Sequence, residues 1–343
     1  MDKVKIAVVG VGALGEMHAA NIQNKIANAE VVAICDGKDR AEKVKKELNI
    51  KYAYTDFDEM MKNDEIDALV IATSVAAHKY QAIRACEKQI HVFCEKPVGK
   101  TTGECLEIEK AVKKNGGKIF TVGFMRRFDP SYAAAMQKIR EGVIGEPIFF
   151  RGYSLDPITV VPFHLQRQRE GNAASFFKEM SVHDVDLSRW YLGGDFESVY
   201  VRGGGYVYKE FEKYRDVDNG WSMVNFKNGR CAFIYCGRTA PQCDVESEIV
   251  GTEGTIRIGT NPNRTRMQIY KNFSVIDESL TTFFERWEQA FLLEMQNFAN
   301  CIQQGTFPEI TAHDGTMASI SIDMLQESYE SNKIIYDGFM LQK

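Results

Sequence analysis

The chain is 343 residues long, room for about two domains at ~150 residues each. With 44% apolar and 26% charged residues it has the composition of a globular protein able to bury a full core. Its 42 Lys plus Arg against 47 Asp plus Glu give a net charge of −5, which argues against nucleic acid or an anionic membrane as partner.

No apolar run reaches the ~18 residues of a membrane span. Met1 to Val9, with Asp2 near its start and Gly10, Gly12 and Gly15 following, reads as a first strand rather than a signal peptide. The eight cysteines contain no C-x-x-C pair, and several sit in apolar strands such as Val31 to Cys35. Reduced thiols in a cytoplasm are the expectation.

Continuous apolar runs at 4–9, 31–35, 67–72, 90–94 and 118–124 alternate with helical patterns near 15–27, 39–48, 56–62, 76–88 and 102–115. Such runs suit strands buried on both faces, so residues 1–123 are expected to form a doubly wound parallel α/β domain. The pattern then changes. A helix should start after Pro130, followed by a strand at 147–154 and a polar loop around Gln166, Arg167, Gln168 and Arg169. A helix near 179–192 leads into antiparallel strands, with hairpins at Asn228-Gly229 and at Gly251 to Gly254. Two helices near 283–304 and 314–331 close the chain. Residues 124–343 therefore read as an α+β domain with a large, mostly antiparallel sheet.

Gly10-Val11-Gly12-Ala13-Leu14-Gly15 matches G-x-G-x-x-G directly after a strand and at the start of a helix. Glycines there permit a tight turn and close approach of backbone to a pyrophosphate, which the N–H groups of Gly10, Gly12, Ala13 and Leu14 can meet. Asp36, 21 residues beyond Gly15, ends the second strand. Its carboxylate suits the ribose hydroxyls of NAD and repels the 2′-phosphate of NADP. Nearby Lys38 and Arg40 leave some use of NADP open. NAD is the expected cofactor.

Lys96 follows the apolar strand ending in Cys94 and precedes Pro97. At the carboxyl end of a parallel strand it faces the ligand crevice, where partial desolvation makes an ammonium usable in proton transfer. The chain resembles the glucose–fructose oxidoreductase and inositol dehydrogenase (Gfo/Idh/MocA) family over essentially its whole length. The carriers are Gly10-x-Gly12-x-x-Gly15-x-x-His18, Ala72-Thr73-Ser74 with His78, Glu95-Lys96-Pro97, Gly251-Thr252-Glu253-Gly254 and Thr311-x-x-Asp314-Gly315. Gly123 to Pro130, and Met180 to Leu187 with Trp190, are most similar to the inositol dehydrogenases.

The resemblance implies a Rossmann domain followed by an open-sheet substrate domain, a cis bond at Lys96-Pro97 and a homotetramer. It implies cofactor contacts from Thr73, Ser74, His78, Glu95 and Lys96, and a proton-transfer group of Lys96, His183 and an acid. That acid is an aspartate in related enzymes; this chain has Glu179 in its place. Positions i and i+4 share a helix face, so Glu179 could orient and charge-stabilise the imidazole of His183. Arg127, Asp156 and Tyr235 are candidate substrate contacts. Glu179 and His183 lack a third ligand at suitable spacing, so no metal is expected.

The chemistry so implied is oxidation of a ring secondary alcohol of inositol to an inosose, with His183, assisted by Lys96, accepting the hydroxyl proton as hydride leaves the same carbon. Two alternatives stay open: a sugar or glycoside dehydrogenase using the same residues, and a silent cofactor-binding sensor. The two arginines of the polar loop could also meet a sugar phosphate.

Overall fold

The computed structural model describes residues 2–171, 173–259, 263–280 and 282–338. It divides into two compact units, one of residues 1–128 with 289–319 and the other of residues 129–288 with 320–343.

The first unit holds β1 (Val4–Val9), α1 (Ala13–Lys25), β2 (Ala29–Cys35), α2 (Lys38–Leu48), β3 (Tyr52–Tyr54), α3 (Phe57–Met60), β4 (Ala68–Ile71), α4 (Val75–Glu87), β5 (His91–Cys94), α5 (Thr102–Val112) and β6 (Phe120–Val122). The strands pair in the order β3-β2-β1-β4-β5-β6, all parallel. This is the dinucleotide-binding order, in which the sheet reverses between β1 and β4 and opens a crevice beyond the strand ends. β1 and β4 are buried along almost their whole length, as their unbroken apolar runs require. The short edge strand β3, half-buried throughout, carried no such run.

The second unit begins with α6 (Pro130–Arg140), whose Asp129 caps the N–H groups of Ser131 and Tyr132. There follow β7 (Pro147–Pro157), α7 (Val161–Arg169), a π-helical turn over Phe177–Ser181 and α8 (Val182–Leu192). Residues 166–169, expected as loop, thus form the end of a helix. The remaining strands are β8 (Phe196–Gly204), β9 (Asn219–Phe226), β10 (Cys231–Ala240), β11 (Asp244–Gly251), β12 (Thr255–Ile258), β13 (Asn263–Lys271) and β14 (Ser274–Ser279). α9 (Phe283–Gln304), α10 (Ala312–Ser331) and β15 (Ile335–Tyr336) complete the chain.

The seven strands β12-β11-β7-β10-β9-β8-β15 form one sheet, antiparallel except for the β7–β10 pair, and β13 with β14 makes a separate hairpin. The mixed, mostly antiparallel sheet is the one the sequence pattern calls for. Its β11–β12 turn explains Gly251-Thr252-Glu253-Gly254. A Cβ on Gly251 would lie 2.1 Å from the Ile144 carbonyl oxygen, and the N–H groups of Thr252 and Glu253 donate to the Glu146 and Ile144 carbonyls. No helix among the described residues is long and apolar enough to cross a membrane, and among them no disulfide joins the eight cysteines.

Candidate functional site

In the first unit a cleft of about 590 Å³ opens at the ends of β1, β2 and β4, lined by Gly10, Gly12, Asp36, Thr73, Ser74 and their neighbours. The size is that of a small-molecule or cofactor site. Gly10 has φ +82°, and a Cβ there would meet the backbone of Ala72 and Thr73 at 2.6–2.7 Å. A Cβ on Gly15 would fall 1.8 Å from the Gly10 carbonyl oxygen, so these two glycines let the turn close. Gly12 is different: its Cβ would point into open space. It precedes α1 without supplying a side-chain cap, which leaves the first helical N–H groups, those of Ala13 and Leu14 among them, for an anion. The turn fits a dinucleotide pyrophosphate.

Asp36 is bound to the same turn. One carboxylate oxygen accepts from the Val11 N–H at 2.8 Å and the other from the Gly37 N–H at 2.6 Å, while the Arg40 guanidinium stands 3.4 Å away. The negative charge is therefore held at the mouth of the cleft, where a ribose with two free hydroxyls is favoured over a phosphorylated one.

Thr73 and Ser74 form the rim at β4. The Thr73 hydroxyl donates to Gln81 at 2.7 Å. His78 lies beneath them, 1% exposed, with its two ring nitrogens 3.0 Å from the Thr73 carbonyl and 2.9 Å from the Pro97 carbonyl. Burial pushes its pKa below the ordinary imidazole range, against the pull of the carbonyls. The His78 ring is thus packed between the cleft wall and the turn after β5, and its neutral form can donate to one of the two carbonyls. Glu95, equally buried, accepts from His18 Nε2 at 2.8 Å and from the Lys96 backbone N–H at 3.1 Å. The Lys96-Pro97 bond is cis.

Thr311, Asp314 and Gly315 belong to the same region. The Asp314 carboxylate accepts from the Thr311 N–H and hydroxyl at 2.9 Å, and its other oxygen meets Arg127 at 3.2 Å. A Cβ on Gly315 would lie 2.5 Å from the Val98 side chain, so the glycine lets α10 pack against the turn that carries Lys96. Arg127, 6% exposed, is anchored by Asp314.

In the second unit His183 sits in the first turn of α8 at 5% exposure. Its neighbour Asp184, fully buried, accepts from the Ser154 hydroxyl at 2.6 Å, and a Cβ on Gly152 would lie 2.6 Å from Asp184 Oδ1. Gly152, Ser154 and Asp156 alternate along β7, so Asp156 shares the sheet face that α8 covers. Glu179 is clamped: His164 Nδ1 lies at 3.0 Å, Arg167 at 2.8 Å and Arg238 at 2.6 Å. Burial raises its pKa, but the His164 hydrogen bond and the charges of Arg238, His164 and Arg167 outweigh that and hold it at about 2. His164 thus sets an imidazole beside Glu179. The π turn, with its wider hydrogen-bond spacing, replaces the regular i, i+4 geometry expected between positions 179 and 183.

Tyr235, expected as a substrate contact, lies on the other face of its strand from the residues that meet α8. Along β10, Ile234, Cys236 and Arg238 are buried; Cys236 meets Asp184 and Arg238 meets Glu179. Alternation puts Tyr235 on the opposite face, stacked on Tyr153 at 5.3 Å and donating to Asn219 at 3.0 Å. The sheet itself separates it from α8. Arg238 is the residue the sequence reading missed: it was legible only as a charge at a position whose two-residue register, Ile234-x-Cys236-x-Arg238, is otherwise buried.

Residues 4–124 match the NAD-binding Rossmann domain of the Gfo/Idh/MocA oxidoreductase family, and residues 136–336 match that family's C-terminal alpha/beta domain. The chain belongs to this family. It is 35% identical to scyllo-inositol 2-dehydrogenase (NAD(+)) of Bacillus subtilis over 92% of its own length and 91% of the relative's. A scyllo-inositol dehydrogenase of Lactobacillus casei, solved with NAD(H) and scyllo-inositol, superposes with TM-score 0.93 at 33% identity, covering 98% of this chain and 99% of that one. A myo-inositol 2-dehydrogenase of Lactobacillus plantarum gives TM-score 0.92 at 33% identity, with the same coverage. The protein is an oxidoreductase with an NAD-binding Rossmann domain.

Two predictions follow from the geometry of Asp36 and Glu179. Replacing Asp36 by Ala removes charge-assisted hydrogen bonds worth about 1.5–3 kcal/mol and releases Arg40. The KM for NAD should rise about tenfold or more while that for NADP falls, as read by initial rates with each dinucleotide. For Glu179 the folded pKa lies below the unfolded value, so its stabilisation is complete above about pH 4.5 and is lost as pH falls towards about 2. The shift corresponds to about 3 kcal/mol. In urea unfolding the gap between wild type and Glu179→Gln should shrink markedly from pH 5 to pH 3; a constant gap would show that the ion cluster does not stabilise the fold.

Proposed function

We propose that the protein oxidises a ring secondary alcohol of an inositol to an inosose with NAD. The observation that carries this reading is the likeness, over nearly the full length of both chains, to an enzyme holding NAD(H) and scyllo-inositol. The side-chain chemistry favours a neutral polyol over a sugar phosphate. Arg167 is paired with Glu179, and Arg169 grips Glu210 through two hydrogen bonds of 2.7–2.8 Å. Neither guanidinium is held out for a phosphate.

Bound NAD supplies the hydride acceptor. His183 accepts the proton of the ring hydroxyl, since imidazole is the side chain whose ordinary titration lies near neutrality. Lys96 presents an ammonium group to the same oxygen and stabilises the negative charge that develops on it. Asp156 and Arg127 bind further hydroxyls. Glu179, ionised throughout the physiological range, keeps His164, Arg167 and Arg238 in place and takes no proton itself.

The active form we propose is a cytoplasmic homotetramer built through the seven-stranded sheet. The face opposite α8 is open and aromatic, with Tyr153 stacked on Tyr235 and Trp221 on Phe233, beside Tyr200 and the 55% exposed Met223. Apolar patches of this kind mark association surfaces. Light scattering should give four times the mass of the 38.8 kDa chain, and a charged substitution at Met223 should shift it towards smaller species.

NADH absorbance with a panel of inositol isomers, glucose and glycosides tests the activity. Turnover should be highest with an inositol; a preference for glucose or a glycoside would make the protein a sugar dehydrogenase, and no turnover with any of them would favour a sensor. Lys96→Ala and His183→Ala should each lower kcat by about 10²–10⁴-fold while NAD still binds. Unchanged turnover in either variant removes that residue from the mechanism.

A further inference from the structure

The first unit buries a group of ionisable side chains for which the reaction above has no use. His18 on α1, Glu95 after β5 and Glu294 on α9 are 0%, 4% and 1% exposed. One ligand-type atom from each lies within 4.8 Å of the others. Glu95 is fully engaged, with Oε1 on His18 and Oε2 on the Lys96 N–H. A Cβ at Gly123 would come within 2.9 Å of that Oε2, so the carboxylate occupies space that only glycine at 123 leaves open. Glu294 is in the opposite condition: neither of its carboxylate oxygens has a hydrogen-bond partner.

An ionised carboxylate in that state, next to a second one, carries a penalty of several kcal/mol. Two occupants could relieve it, a divalent cation or a proton. The cation fits poorly. His18 Nε2 and Glu95 Oε1 are already 2.8 Å apart and joined by a hydrogen bond, and the three residues leave almost no surface through which an ion could enter. The aromatic setting adds to the cost of charge, because the His18 ring meets Phe93 and Phe291 edge-on at 5.5 and 5.8 Å.

We propose that Glu294 is a positioning residue, kept as a neutral carboxylic acid so that Glu95 alone carries the negative charge and holds the Lys96 backbone in place. The function of this device rests on the reading of Lys96 as a catalytic residue. Burial and then the charge of Glu95 push the Glu294 pKa well above the ordinary carboxyl range, in keeping with a bound proton at neutral pH. The titratable groups that face Glu294 are His18 from α1 and Glu95 from the end of β5. Loss of the Glu294 proton at alkaline pH would set two carboxylates against each other, one of them bonded to the turn of Lys96.

The test is spectroscopic and kinetic. An infrared difference spectrum of wild type against Glu294→Gln at neutral pH should contain the carbonyl stretch of a protonated carboxyl group, lost in the variant. Glu294→Leu should lower kcat by about tenfold or more, as displacements of about 1 Å can cost up to 10²-fold, with a smaller change in the KM for NAD. Glu294→Gln, neutral and of equal size, should restore kcat to within about threefold of wild type and extend activity to higher pH. Three results would each overturn the proposal: absence of the protonated-carboxyl band, a Gln variant no more active than the Leu variant, or one equivalent of zinc or manganese bound by wild type in equilibrium dialysis and not by Glu294→Gln. Should Leu prevent folding, the band and the Gln pH profile still decide. Full turnover by Lys96→Ala would sink the catalytic reading and leave the band standing, so the two failures are distinguishable.

Discussion

Lys96 stands on a turn tied down from two sides by buried imidazoles, His18 acting through the Glu95 carboxylate and His78 through the Pro97 carbonyl. Each tie joins polar groups that burial would otherwise leave unsatisfied, at about 1–3 kcal/mol apiece. The turn therefore has little freedom to drift. His78 carries the constraint onward to Thr73, on the cofactor cleft, and Val98 carries it to the first turn of α10 through the missing side chain of Gly315. A change at any of these positions is felt by the cleft and by the lysine together. This accounts for motifs as distant in sequence as His18, His78 and Thr311-x-x-Asp314-Gly315 in one small volume.

The second unit uses a different device. Its sheet sorts residues by parity, so that Ser154, Cys236 and Arg238 meet the helical side and Tyr153, Trp221 and Tyr235 form an aromatic face. The helical side sets these polar groups among buried Phe150, Ile234, Val245 and Ile249, whereas the other face mixes its aromatic rings with the charges of Arg151, Glu246 and Glu248. The π turn at 177–181 sits where the helical side is most heavily charged, and such turns recur at functional sites because they re-aim side chains without ending the helix.

The parts legible in the sequence were those written in local spacing. Gly10, Gly12 and Gly15 specify a turn whatever the rest of the chain does, and Asp36 follows at a distance set by one helix and one strand. The presence of buried parallel strands came from uninterrupted apolar runs. What escaped was decided by partners remote in sequence or by a choice between equivalent local states. Tyr235 and Cys236 look alike as neighbours on a strand, and only the packing of α8 decides which of them is covered. Gln166 to Arg169 is polar throughout and reads as loop, yet it ends a helix whose Val161 and Leu165 are buried and whose Arg167 and Arg169 pair with Glu179 and Glu210. Glu294 looks like a surface residue of an amphipathic helix; its burial depends on His18 and Glu95, some 200 to 280 positions away.

Two glutamates, Glu179 partly buried and Glu294 fully so, are driven in opposite directions by what surrounds them. Around Glu179 three cationic or imidazole groups outweigh desolvation, and its carboxyl is held at about 2. Around Glu294 the nearest charge is another carboxylate, so desolvation and repulsion act together and its pKa rises. Neither serves as a base near neutrality: Glu179 binds a proton too weakly, and Glu294 already holds one. The same side chain is thus driven to opposite states by its surroundings, by cations in one place and by an apolar pocket beside a second carboxylate in the other.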